Sequence, residues 1–340
     1  MKHRMRMLWM LPMALALSCC NNANDGPAPL SSETFEQALS ILQAQFRLGS
    51  AEARANCLEA LQVSRDPRVV DMIDRGLHDG EWVVRFAAAM AAGERRAGDV
   101  KPVLNTLVVH DPNPNVHVGC IYALWRLGDE SHVSELGQLI VATDPGVRAN
   151  TALVLGKMGE SSIVLLDRYR DDPDIRVRFA ITAALARLGN PTAMNVILSE
   201  SVNKFAEDQF YAMEVCADLP ASLPESFRTQ PLLTVLDDGT LPRGLSRDAE
   251  YLTAARQLIA ARSLAKMRYN NEAAAKVAID NRDNADPRVR ALAALALGEM
   301  LPSRDAPTMD WMLKDPDETV RRSAAAAVVN IYSRAARPKA

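Results

Sequence analysis

The chain has 340 residues and a formal charge of −3, with 48% hydrophobic, 24% charged and only 5% aromatic residues. That length exceeds one ordinary core unless the core is spread along a repeated array, and the scarcity of Phe, Tyr and Trp suits close helix-on-helix packing. The balance argues against nucleic acid as a partner, because that needs a basic domain or face. Removing residues 1–18 takes away Lys2, Arg4 and Arg6 and no acid, which leaves −6.

The first element reads as an address. A basic start (Lys2, Arg4, Arg6), the apolar run Met7 to Leu17 and the small Ser18 before Cys19-Cys20 are the parts of an export signal over residues 1–18. The run is too short for a spanning helix, which needs roughly 20 residues. Its end, Leu15-Ala16-Leu17-Ser18-Cys19-Cys20, resembles the lipobox of bacterial lipoproteins. That resemblance implies a lipid on the cysteine after the cut, and a protein anchored in the bacterial cell envelope, on the periplasmic face of a membrane or the outer surface. A cut before Cys19 uses Ser18 as the small residue, with Ala16 where leucine is commoner. A cut before Cys20 places Leu17 and Ser18 well but leaves Cys19 at the small position, so both cysteines stay open. Residues 19–33, with Pro27 and Pro29 among small polar side chains, read as a flexible tether spanning about 20 Å on average.

A repeat follows. Asp79-Gly80-Glu81-Trp82-Val83-Val84-Arg85 returns as Asp172-Pro173-Asp174-Ile175-Arg176-Val177-Arg178 and as Asp315-Pro316-Asp317-Glu318-Thr319-Val320-Arg321. Shortened copies begin at Asp144 (Val147-Arg148) and Asp286 (Val289-Arg290), and a variant, Asp111 to Val116, has His117 in place of arginine. The arginine place recurs at one nearly constant interval, at positions 54, 85, 117, 148 and 178, and positions 290 and 321 show the same interval again. Aspartate accepts from free N–H groups at a helix start, and proline beside it sits where no N–H is needed. Val-Arg then opens a first helix, alanines allow close approach, and Leu-Gly (Leu127-Gly128, Leu155-Gly156, Leu188-Gly189) ends it with a left-handed cap. A second helix fills the rest of each unit, such as Val100 to His110 or Val133 to Val141. The predicted fold class is all-α, a superhelical solenoid of about eight to nine two-helix units.

A two-helix unit of this short length resembles the HEAT-repeat family, in particular its short phycobilisome-lyase type, over most of residues 35–335. The resemblance implies a structural ladder of aspartates and arginines between successive repeats: Asp79, Arg85, Asp111, Asp144, Arg148, Asp172, Arg178, Asp286, Arg290, Asp315 and Arg321. Residues 34–189 and 286–335 carry the regular repeats. In 190–285 the theme lapses: Ala206 to Leu219 fits a degenerate first helix, and Leu252 to Arg268 a long amphipathic one. Between them 220–247, with Pro220, Pro224, Pro231 and Pro242, reads as a structureless insertion, either functional or a simple addition on one face.

One branch of the family, deoxyhypusine hydroxylase, holds two irons with His-Glu pairs directly after Val-Arg. No His-Glu pair occurs in this sequence, so no cofactor is expected. His78 and His110 each immediately precede a repeat aspartate, in adjacent repeats. They are weak metal candidates; the plainer reading is a side chain favourable to a helix C-terminus. Cys57, Cys120 and Cys216 read as buried free thiols, and Trp82, Trp125 and Trp311 as packing residues. No nucleophile triad, phosphate-cradling glycine loop or CxxC pair is present. The expected function is non-catalytic: a scaffold that binds protein partners on an extended concave surface made by the second helices, joined to a membrane by its lipid. The alternative is a divergent enzyme of the lyase and hydroxylase superfamily.

Overall fold

The computed structural model describes residues 32–203, 208–238 and 248–336. Among these the regular elements are all helical, and they form nine successive pairs. The pairs are α1 (Glu33–Leu48) with α2 (Ala51–Leu61), α3 (Arg68–Leu77) with α4 (Trp82–Arg95), and α5 (Lys101–His110) with α6 (Pro114–Arg126). Next come α7 (Leu136–Leu139) with α8 (Pro145–Leu155), α9 (Ile163–Arg168) with α10 (Ile175–Arg187), and α11 (Pro191–Val202) with α12 (Gln209–Asp218). The last are α13 (Glu225–Asp237) with α14 (Ala249–Lys266), α15 (Glu272–Asp280) with α16 (Pro287–Met300), and two 3₁₀ turns (Ser303–Met309, Met312–Lys314) with α17 (Glu318–Ala335). The chain is therefore an all-α solenoid, as its period predicts.

The even-numbered helices and α17 pack on one another in sequence as an inner layer, and the remaining helices cover them. This corrects one expectation. The helices opened by Val-Arg form the inner layer, whereas those that follow them lie outside. The reason is composition: α6 buries nine of its thirteen residues, among them Val116, Val118, Gly119, Ala123 and Leu124, while amphipathic α5 buries only Leu104 and Val108. Small residues set the spacing. A Cβ on Gly298 would stand 2.5 Å from that of Ala327, and one on Gly156 2.8 Å from that of Ala184. Gly156 is thus a close-approach residue in right-handed conformation (φ −62°), not the expected left-handed cap. The left-handed position lies eleven residues beyond the repeat arginine, and is held by Gly128, Gly159 and Gly189, and by Arg96 and Arg268 in other repeats.

The lapse at 190–285 is also corrected in part. Residues 225–237 are not a structureless insertion but α13, the outer helix of the seventh repeat, with Pro224 before its first turn and Pro231 inside it. Thr229, Leu232, Val235 and Leu236 bury its inner face, against α14 and α11. The proline-rich composition hid a helix whose packing outweighs its weak propensity. The rest of the expected insertion, 239–247, lies outside the described residues, as do the signal and tether residues 1–31.

The array closes on itself. Helix α1 packs along α17, and α17 also meets α2, so the first repeat stacks on the ninth. Phe35, Ala38, Leu39, Leu42 and Phe46 form the buried face of α1, and Phe35 meets Tyr332 edge-on at 5.6 Å. Thr34 donates to Asp310 at 2.9 Å, Gln45 donates to the Glu318 carbonyl at 3.1 Å, and Arg322 donates to Gln45 at 3.0 Å. Leu42→Ala, at a fully buried seam position, should cost about 3 kcal/mol, read from urea unfolding. Since Phe35 and Tyr332 are in contact, a circular permutant joining Ser32 to Ala336 through a short linker and opened after Asn270 should fold with unchanged helicity. Deleting 32–48 instead should lower the midpoint strongly, and a permutant that fails to fold would rule out closure in solution.

Candidate functional site

The repeat arginines use their forked guanidinium in two directions. Nη1 donates to a turn carbonyl of the same repeat: Arg54 to Gly49, Arg85 to Asp79, Arg148 to Ala142, Arg178 to Asp172, Arg290 to Asn284 and Arg321 to Asp315, all at 2.7–2.9 Å. Nε and Nη2 grip the aspartate of the next repeat. Arg54 reaches Asp79 at 2.8 and 2.7 Å, Arg85 reaches Asp111 at 2.6 and 3.0 Å, Arg148 reaches Asp172 at 2.7 and 2.8 Å, and Arg290 reaches Asp315 at 2.8 and 2.9 Å. Each of these aspartates also accepts from the backbone N–H two residues on.

Asp144 and Asp286 are not rungs. They cap α8 and α16 by accepting from Gly146 and Arg288 N–H groups. The sequence offers acids four and six residues before the arginine, and only the one six before faces the preceding repeat. In the fourth and eighth repeats that place holds Ala142 and Asn284. His117, Gln209 and Gln257 occupy the arginine place in the third, sixth and seventh repeats. Each keeps the arm to its own turn, on the carbonyls of Asp111, Ser201 and Leu236 at 2.6, 3.0 and 3.1 Å, and Gln209 also accepts from Arg256 of the seventh repeat.

The guanidinium of Arg148 holds the Asp172 carboxyl below its usual range against the opposing effect of burial, and Arg290 does the same for Asp315. Arg176 pulls Asp174 down to about 2. Burial pushes the thiols of Cys57 and Cys216 up to about 12, and raises that of Cys120 as well, so all three are inert buried thiols.

His78 is exposed and its Nδ1 lies 2.8 Å from the Asp74 carbonyl; His110 ends α5, also exposed. Among the described residues no three His, Cys, Asp or Glu side chains converge as a metal site. Trp125 packs beside Tyr122, ring centroids 6.2 Å apart, while Trp82 and Trp311 stand exposed. Cys19 and Cys20 lie outside the described residues.

A second periodic set escaped the sequence reading. Nine residues beyond the ladder position of the second to eighth repeats stand Glu94, Arg126, Lys157, Arg187, Asp218, Lys266 and Glu299. Lys157 reaches past α6 to Glu94 at 2.8 Å, which only the inner side of the curve permits. Glu94 also accepts from Tyr122 at 2.7 Å and meets Arg126 at 3.5 Å. Burial disfavours this carboxylate, but Lys157, Tyr122 and Arg126 outweigh it and keep its pKa below the ordinary value. Further round, Arg187 meets Asp218 at 3.1 Å, Arg262 meets Glu214 at 3.2 Å, and Arg334 meets Glu299 at 3.4 Å. Arg262 and Glu299 line a void about the size of one water molecule, together with Ala60 of α2 and Ala327 of α17. Inner helices of the first, seventh, eighth and ninth repeats therefore meet across it. The signal was present at the ladder's own period, but its changing sign masked it.

This geometry defines the chain as a solenoid whose charged ladders are structural. A family model of HEAT repeats matches residues 39–116 and 100–186, so that stretch carries HEAT repeats. A comparison with curated proteins gave no match. Solved structures with a similar helical arrangement include human deoxyhypusine hydroxylase in complex with glycerol, at 17% identity and a TM-score of 0.34, covering 89% of this chain and 99% of that one. The complex of CpcE and CpcF of phycocyanin lyase from Nostoc sp. PCC7120 is 20% identical with a TM-score of 0.36, covering 70% and 100%. The archaeal HEAT-like repeats protein from Thermococcus onnurineus NA1 is 16% identical with a TM-score of 0.25, covering 70% and 99%.

Arg148→Met would leave the 7%-exposed Asp172 side chain buried without its partner. It should destabilise by about 3 kcal/mol, while Arg148→Met with Asp172→Asn should recover most of that in a double-mutant cycle. The depressed carboxylates Asp172, Asp174 and Asp315 bind protons less readily folded than unfolded. Their contribution is complete above the ordinary aspartate value of about 3.9 and is lost as pH falls through the depressed one, about 2 for Asp174. Urea midpoints between pH 5 and 2 should fall along this window, less steeply in the double variant.

Proposed function

We propose that the protein is a non-catalytic scaffold of the bacterial cell envelope that binds protein partners through the surface of its repeats. A lipid on Cys19 or Cys20 tethers it to a membrane. The observation that carries this reading is the fate of the charged side chains: ladder and inner belt are engaged in holding repeat to repeat. Nine repeats of one design give a broad, rigid surface that adds contact area unit by unit. The export-type start and the small, proline-bearing segment between it and the Ser32 cap of α1 supply the tether. No helix among the described residues is long and apolar enough to cross a membrane, and a lipid on one cysteine supplies attachment by another route.

The test is intact mass and metal content of the full chain purified from detergent-solubilised membranes. Lipidation at one cysteine, abolished by Cys19→Ala or by Cys20→Ala but not both, is the expected result, with no stoichiometric metal or pigment. An unmodified chain carrying iron or a chromophore would overturn the scaffold reading in favour of an enzyme.

A further inference from the structure

A filled rung of the ladder has three donors and one carboxylate. Arg54, Arg85, Arg148 and Arg290 each offer Nε and Nη2 to the next repeat's aspartate. The third donor is the backbone N–H of the residue that caps the next inner helix: Glu81, Asn113, Asp174 and Asp317.

The seam between the ninth and first repeats keeps the donors and lacks the acid. Arg321 is pinned as the others are, Nη1 donating to the Asp315 and Pro316 carbonyls at 2.7 and 2.9 Å. Its neighbours on α17 touch the last turn of α1, where Gln45 donates to the Glu318 carbonyl and accepts from Arg322. The Gly49 N–H returns to the Gln45 carbonyl at 2.8 Å, so Arg321 stands over the turn from α1 to α2. Ser50 caps α2. Neither Nε and Nη2 of Arg321 nor the Ser50 N–H has an acceptor among the described residues. Leu48 stands in the acid's place with its side chain 87% exposed. Ser50 is exposed and Arg321 half-buried, so the donors are open to solvent. Elsewhere the vacancy is different: His117 supplies no fork, and the turn that Arg178 faces runs into 204–207, outside the described residues.

We propose that Arg321 and Ser50 form an open rung that takes an aspartate or glutamate side chain from a partner protein. The inference rests on the scaffold reading and names one of its contacts. The ligand class follows from the four filled rungs, whose equivalent arginine donors hold a carboxylate at 2.6–3.0 Å. Because Nη1 already fixes the guanidinium, little side-chain freedom remains to be lost on binding. A lone ion pair facing water is weak, so a useful carboxylate must arrive within a larger contact, which a protein supplies and a free acid does not. Arg47, exposed on the same turn, adds a second cation beside it.

The test follows arginine Nε–H resonances of the isotope-labelled full chain in detergent at low salt. Two end-blocked peptides are titrated, Gly-Ser-Asp-Ser-Gly and Gly-Ser-Asn-Ser-Gly. The Arg321 resonance, assigned by its loss in Arg321→Lys, should shift saturably with the first peptide and at least tenfold less with the second. Arg85, whose fork Asp111 fills, should respond to neither. A backbone pair tests the third donor: Ser50→Pro and Ser50→Gly both lose the serine cap, but only proline loses the N–H. Proline fits there, since φ is −59° at Ser50 and Gly49 before it is extended. Ser50→Pro should bind the aspartate peptide at least threefold more weakly than Ser50→Gly. Equal response to both peptides, no response, an equal shift at Arg85, or equal binding by the two Ser50 variants would overturn the proposal. So would a response that appears only with Asp25→Asn, which makes the occupant the chain's own carboxylate, or a peptide-free dimer that Arg321→Lys dissociates. If a native envelope partner is held equally by wild type and Arg321→Lys, the scaffold function stands and this contact for it falls.

Discussion

The structure depends on what one guanidinium can do that no other side chain can. Its planar fork offers five donors in fixed geometry. One nitrogen ties the outer-to-inner turn within a repeat, and two others grip the carboxylate of the next repeat, as Arg85 does with Asp79 and Asp111. That double hold fixes the angle between neighbours. Where the fork is replaced, the hold within the repeat survives and the bidentate grip on the next repeat's carboxylate is lost: His117, Gln209 and Gln257 keep the bond to their own turns, and Gln209 accepts from Arg256 of the next repeat. At those junctions the inner belt supplies the missing link. Lys157 crosses to Glu94 over the third-to-fourth junction, Arg262 takes Glu214 over the sixth-to-seventh, and Arg262 lies 4.0 Å from Glu299 over the seventh-to-eighth. Two weak series, offset along the same helices, cover one another's gaps.

The seam between ninth and first repeats is built differently. The ladder place that would answer Arg321 is Leu48, which is exposed, so no carboxylate rung is available there. The aliphatic and aromatic face of α1 replaces it, with Phe35, Leu39, Leu42 and Phe46 against α17. Apolar burial is non-directional and tolerates small errors of angle, and so suits a junction where the accumulated rotation of eight others must be absorbed. Closure also removes the exposed end faces that an open solenoid has to protect with polar capping repeats.

Much of the fold was legible because its cause is local and periodic. Asp-Pro at helix starts, Val-Arg a few positions on, and the return of both at one fixed interval gave the helices of 34–189 and 286–335 directly. The ladder residues were legible as a set but not as pairs: acids stand both four and six residues before the arginine, and the structure is what shows that the one six before, such as Asp172, is the rung while the one four before, such as Asp144, is the cap. The sixth and seventh repeats were obscured by chemistry, since glutamine keeps one arm of arginine's function and erases its signature. Pro224 and Pro231 argued against a helix that packing on α14 nevertheless holds. Closure was not legible at all, because Phe35 and Tyr332 lie at opposite ends of the chain and nothing local links them.

Closure decides which surfaces remain for binding. An open solenoid offers its inner curve as a groove, but here that curve is occupied. Tyr122 is fully buried, Phe86 and Phe179 are nearly so, and the charges of the belt face one another at the centre. Several of those buried groups, Glu214 Oε2, Asp218 Oδ1, Arg187 Nη2 and Arg262 Nε, find no hydrogen-bonding partner among the described residues. Such groups are costly to bury, and a well-packed apolar centre would often be as stable. What the charges add is discrimination, because a slip of one repeat against the next would set Lys157 or Arg187 beside a like charge instead of a carboxylate. A ring held in register this way has little freedom to open its centre, and the outer helices and the two rims are the surface it leaves accessible.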